Sequence, residues 1–122
     1  MEVLVFASPK DPAKERFFHR ISKVPELCPK FVLNHEHFLK CLKEHNVRWR
    51  VIVFFVFEQE DLALALSIKE YLIGTRVIMV LPDWNGETVK MGLSLSPSLM
   101  TNANGDFSDV VAVLEKISTL CS

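Results

Sequence analysis

The sequence predicts an α/β protein, a three-layer sandwich in which helices cover both faces of a five-stranded parallel sheet. Three observations predict it. The run Val51-Ile52-Val53-Phe54-Phe55-Val56-Phe57 is the most apolar in the chain and shows no polar alternation, the pattern of a strand covered on both faces. Val3 to Ala7 and Val77 to Leu81 are also continuously apolar, and Pro9 and Pro82 follow them closely, as expected where strands stop. Between such runs lie helical segments of about ten residues, so strands and helices alternate as right-handed βαβ units. About five units fit an open sheet of order 2-1-3-4-5.

Each element has its own signal. Val3 to Ala7 is the first strand. Asp11 is placed to cap a first helix and Pro12 to begin it; Ala13, Phe17, Ile21 and Val24 share one helical face. Pro29 to Leu33 is a short second strand at an edge, because a proline and a lysine open it. Asn34 caps a second helix from His35 to about Glu44, with Phe38, Leu39 and Leu42 inward and His45-Asn46 at its end. Arg48-Trp49-Arg50 leads into the central strand, with Trp49 packing locally.

Leu62 to Ile73 is a third helix with Asp61 at its start. Leu62, Ala65, Leu66, Lys69 and Leu72 trace one face, and Leu64, Ile68 and Tyr71 a second. Gly74 is its stop. Val77 to Leu81 is the fourth strand, and Asp83-Trp84-Asn85-Gly86 a loop. Glu87 to Leu95 is a fourth helix of weak pattern, and Ser98 to Thr101 a fifth strand. Asn102 to Ser108 is a polar loop, and Asp109 to Leu120 a last helix with Val110, Val113, Leu114 and Ile117 inward. With no internal repeat or linker, residues 1–122 read as one domain.

Composition narrows the function. Net charge is -1, from 14 basic and 15 acidic residues, which argues against nucleic acid as the main partner. No apolar run approaches the ~18 residues of a membrane span, and Met1-Glu2-Val3-Leu4 is not the start of a signal peptide. Cys28, Cys41 and Cys121 are an odd, widely spaced set, suited to a reducing cytoplasm.

Three stretches carry a family likeness. Thr75-Arg76-Val77-Ile78-Met79-Val80-Leu81-Pro82, Gly92-Leu93-Ser94-Leu95 and Leu99-Met100-Thr101-Asn102-Ala103 resemble, in hydrophobic pattern and spacing, the fourth strand, the end of the fourth helix, and the fifth strand with its loop in the receiver domain of two-component response regulators. The resemblance covers essentially the whole chain and implies a flavodoxin-like fold. It also implies functional positions, and there the sequence departs from the family. Receivers hold magnesium with two acidic residues after the first strand; the matching positions are Ala7 and Ser8, or Ser8 and Pro9. The phosphorylated aspartate ends the third strand; that position falls on Phe55, with Phe54 the nearest alternative. The switch hydroxyl corresponds to Leu81, the lysine after the fifth strand to Asn102, and the proline after it to Ala103. Aspartyl phosphorylation needs a carboxylate nucleophile and a metal. The resemblance therefore implies a degenerate receiver, or pseudo-receiver, which is not an enzyme and uses no metal or cofactor.

Other constellations read more simply as structure. Glu58, Glu60 and Asp61, with Asp83 in the next loop, offer oxygen ligands for a divalent cation, but also read as a solvated loop favouring a helix N-terminus. His37, Cys41 and His45 form a slanting helical row with zinc-type donors; a free cysteine is more often a small buried hydrophobe. Neither Cys41 nor Cys28 stands in a nucleophile signature, and the 4 glycines form no phosphate loop. Trp84 is either an exposed binding anchor or a lid folded over the sheet end.

Two functional readings follow. In the first, the domain is a signalling module in the cytoplasm that binds a protein partner or itself, through a surface including Trp84, Val89 and Met91. A two-fold dimer is its simplest form. In the second, it is a small ligand-binding protein or enzyme with a site at the strand ends, using Ser8, Glu58, Asp83, Asn102 or Asn104. The first needs only a surface, the second convergent polar groups.

Overall fold

A computed structural model describes residues 1–44, 49–83 and 85–121, the last by its backbone alone. The strands are β1 (Glu2–Phe6), β2 (Cys28–Val32), β3 (Val51–Phe55), β4 (Arg76–Leu81) and β5 (Leu99–Asn102). The helices are α1 (Ala13–Ile21), α2 (His35–Lys43), α3 (Gln59–Ser67), α4 (Gly86–Leu93) and α5 (Ser108–Cys121). All paired strands are parallel, in the order β2-β1-β3-β4-β5. The predicted architecture and strand order are therefore those observed.

Side-chain alternation divides the interior into two cores. Val3, Val5, Val53, Phe55, Ile78 and Val80 face α1 and α5, meeting Phe17, Ile21, Val110, Leu114 and Ile117. Leu4, Phe6, Ile52, Phe54, Met79 and Leu81 face α2 and α3, meeting Phe38, Cys41, Leu62 and Ala65. Every residue of β3 is buried, which accounts for its unbroken apolar run. At the β2 edge, Cys28 N donates to Met1 O and Val32 O accepts from Ala7 N, so Cys28 and Val32 turn their bonding groups inward.

Local differences from the sequence reading have physical causes. Asp11 caps α1 by accepting from Ala13 N at 2.9 Å, but Pro12 stands outside the helix as its capping residue. Val24 lies beyond the end of α1 and still joins the core. On α2, Asn34 accepts from His37 N as expected, while Cys41 is buried and Leu39 and Leu42 only half-buried. The predicted end at His45-Asn46 lies outside the described residues.

The third helix differs most. It begins at Gln59 rather than Leu62, because the Asp61 carboxylate accepts from Phe57 N and Glu58 N, each at 3.0 Å. That organises the first turn one residue past Glu58, which is not a preferred capping type. It then stops at Ser67, and a single 3-10 turn at Lys69–Leu72 leads to Gly74 at φ +85°, a left-handed position glycine adopts freely. Lys69 and Tyr71 are exposed in consequence. On α5, Val111 takes the inward place expected of Val113, which is half-buried.

Candidate functional site

The carboxyl ends of β1, β3, β4 and β5 converge on one end of the sheet. Its floor is apolar. Ala7, Phe55 and Leu81 are each 0% exposed, while Ser8 and Asn102 are half-buried. Parallel register sets Phe55 beside Val80 and Leu81 beside Asn102. The five predicted positions thus share one end of the sheet but not one face: Ala7 and Phe55 belong to the α1/α5 core, Leu81 to the other.

Phe55 sits in an aromatic nest. Its ring meets Phe17 edge-on at 5.1 Å between centroids and Phe107 at 5.8 Å, and Phe17 meets Phe107 at 5.3 Å. Phe107 reaches this place from the loop before α5, with φ at +63° and 2% exposure. A bulky residue in left-handed backbone carries strain of about 1–3 kcal/mol, held here by burial of the ring.

Polar groups ring this apolar floor. Asp11, 2% exposed, lines a cavity of about 190 Å³ with Arg16, Phe57, Pro82 and Asn104. Burial pushes its carboxyl above the ordinary 3.8, the Ala13 N–H opposes that, and the charge of Asp61 adds to it. The Arg16 guanidinium donates to Ala103 O and lies 5.5 Å from the centre of the Phe107 ring. A second cavity of about 290 Å³ is lined by Glu58, Pro82, Asp83, Glu87 and Met91. Lys10 Nζ pairs with Glu58 Oε1 at 3.6 Å near the rim.

The structure separates the predicted acidic cluster. Asp61 turns inward, 3% exposed, and takes His35 Nε2 at 2.9 Å besides its two backbone donors. Glu58 is half-buried and Glu60 exposed. Among the described residues no three His, Cys, Asp or Glu side chains are placed to share a metal ion. His37 is exposed whereas Cys41 is buried, its carbonyl accepting from Trp49 Nε1 at 3.2 Å; His45 lies outside the described residues. The burial of Asp11 and the His35–Asp61 pair were not legible in sequence, since both depend on β1 and β3 lying side by side. Other polar candidates serve their own turns: Asn102 Oδ1 accepts from Asn104 N and Asp83 Oδ1 from Asn85 N.

On α4, Val89 and Met91 are half-buried against the core, and Leu93 is 57% exposed. Trp84 lies outside the described residues. Among the described residues no helix is long and apolar enough to cross a membrane.

No protein-family model and no curated protein matches the chain. Solved structures do. The receiver fold is this chain's fold. A signal receiver domain of an HD domain-containing protein from Pseudomonas fluorescens superposes with a TM-score of 0.76 at 14% identity, covering 95% of this chain and 92% of that one. The BeF3-activated receiver domain of DrrB, a Thermotoga maritima response regulator, gives 0.72 at 19% identity and covers 95% of each chain. A putative pilus assembly-related protein from Burkholderia pseudomallei gives 0.72 at 10% identity, covering 100% of this chain and 92% of that one. The likeness is one of architecture.

Proposed function

We propose that residues 1–122 form a single receiver-like domain that acts as a non-catalytic signalling module, having lost the phosphoacceptor aspartate and the acidic pair. One observation carries the reading: the end of β3, where receivers present their acceptor, holds Phe55, fully buried between Phe17 and Phe107. A benzyl group neither accepts a phosphoryl group nor ligates a metal, and the nest leaves no solvent path to it. Ala7 and Ser8, in place of the acidic pair, bring no charge. Of the two strand-end cavities, the one at Asp11, about 190 Å³, is smaller than the roughly 300–1,000 Å³ usual for small-molecule sites, and the other, about 290 Å³, stands at the lower edge of that range, so a ligand-binding enzyme is the weaker reading.

Such a module works through protein contact, with a partner or with a second copy. Leu93, exposed on α4 beside half-buried Val89 and Met91, favours the side formed by α4, β5 and α5, with Trp84 as an aromatic anchor. Free Cys28 and Cys41 suit the reducing cytoplasm. Incubation with acetyl phosphate should leave the intact mass unchanged. Gain of one phosphoryl group, removed by hydroxylamine, would overturn the loss of chemistry. If the contact is self-association, light scattering should show a dimer that Trp84→Glu with Met91→Glu abolishes while circular dichroism shows the monomer still folded; a monomeric wild type would exclude that form.

A further inference from the structure

The opposite end of the sheet holds a second surface. There, where β3 and β4 begin and α5 ends, is a groove of about 410 Å³. Buried Trp49 and Ile117 and exposed Ile73 and Leu120 line it with apolar surface, and Arg50, Arg76, Gly74 and Thr75 complete its lining. Ile73 is 82% exposed and Leu120 67%, the two most exposed large apolar side chains among the described residues. Scattered exposed apolar residues are ordinary; two that share one groove over a buried tryptophan form a patch of the kind that marks a contact surface.

The charges decide the partner. Arg76 opens β4 and Arg50 is the residue just before β3, and their main chains adjoin, with Arg76 N donating to Arg50 O. Both are exposed, and neither guanidinium has an ion pair or hydrogen bond among the described residues. Two guanidiniums beside apolar walls match a carboxylate flanked by apolar side chains, since arginine forks bind carboxylates bidentately. A second copy docked by two-fold symmetry on this groove would set the same arginines against each other, and like charges disfavour it. A flat anionic lipid surface matches the charge but does not fill a concave groove.

We infer that this groove is a docking site for a peptide segment of a partner protein carrying Asp or Glu between apolar residues. It lies at the end of the sheet away from Phe55 and stands independently of the module reading.

A randomised peptide display library selected against the whole protein tests this. Enriched peptides should carry Asp or Glu flanked by apolar side chains. Their affinity should fall at least about tenfold, as for a charge-paired anchor, in the Arg50→Glu, Arg76→Glu double variant and in Ile73→Ser. Val89→Ser, on the α4 side, should leave it unchanged. These groove residues are exposed, so the variants should melt like wild type. No enrichment, enrichment of basic peptides, or acidic peptides that bind the double variant equally well would overturn the inference. So would binding by anionic vesicles that the double variant loses.

Discussion

Truncating Phe55 to alanine tests whether the strand end is structural. The side chain is 0% exposed and makes two tilted or edge-on ring contacts. Removing a buried Phe costs roughly 3–5 kcal/mol, transfer and residual cavity together. Collapse into the space is resisted, because β3 is bonded on both sides, to β1 and β4. The two ring pairs add about 0.5–1.5 kcal/mol each beyond burial, so the cost should lie in the upper half of that range, about 4–5 kcal/mol. A chain of this length has about 6–18 kcal/mol in all, at about 0.05–0.15 kcal/mol per residue. The variant should therefore fold but lose about a fifth or more of its stability. Urea melts followed by circular dichroism measure it, with the slope checked for two-state behaviour. Phe57→Ala, 36% exposed just beyond the strand, is the comparison and should lose less than Phe55→Ala, because part of its ring already meets water. A loss below about 1 kcal/mol for Phe55→Ala would mean the nest is loose and the strand end open, and the argument for lost chemistry would fall with it.

Three further outcomes are expected. Phe107→Gly should be less damaging than Phe107→Ala, by about 1 kcal/mol, because both lose the ring but only glycine relaxes the left-handed backbone; equal melts would remove the strain at φ +63°. Asp61→Ala should cost about 2–4 kcal/mol, since it orphans Phe57 N and Glu58 N and frees His35, and those two amides should lose protection in hydrogen exchange; unchanged protection would refute the cap. Asp11 is a case of a folded-state pKa raised above the unfolded one by burial. The folded protein therefore holds the proton longer, and stability falls as pH rises from the unfolded carboxylate value, about 3.9, through the raised folded one, then levels. Asp11→Asn keeps an acceptor for Ala13 N and should flatten that slope in melts taken across the acid range; an unaltered slope would assign it elsewhere.

The fold was legible because its signals are local and strong. Val51 to Phe55 could not be other than a two-sided strand, and Asn34 and Pro82 punctuate the chain where elements begin and end. What stayed hidden depends on distance in space rather than sequence. Glu58 gave no capping signal because glutamate is not a preferred capping type; the first turn of α3 is closed by a reciprocal box in which Asp61, three residues on, accepts from Glu58 N. The nest around Phe55 draws Phe17 from α1 and Phe107 from a loop that reads as polar, so no window of sequence contains it. The groove at Arg50 and Arg76 joins segments separated by α3 and completed by α5, and its apolar walls include Ile73, which the sequence places in a helix.

Pro29 has a consequence for how the sheet meets its surroundings. Along β2 the inward-bonding residues are Cys28 and Val32, and in a strand alternate residues turn the opposite way. Pro29 and Phe31 therefore present their main-chain groups to the free edge, and Pro29 has no N–H to give. A sixth strand laid beside β2 would find a donor missing where its ladder should start, and Lys30 sits between. Edge-to-edge templating between chains is thereby discouraged on this side, leaving association to side-chain surfaces.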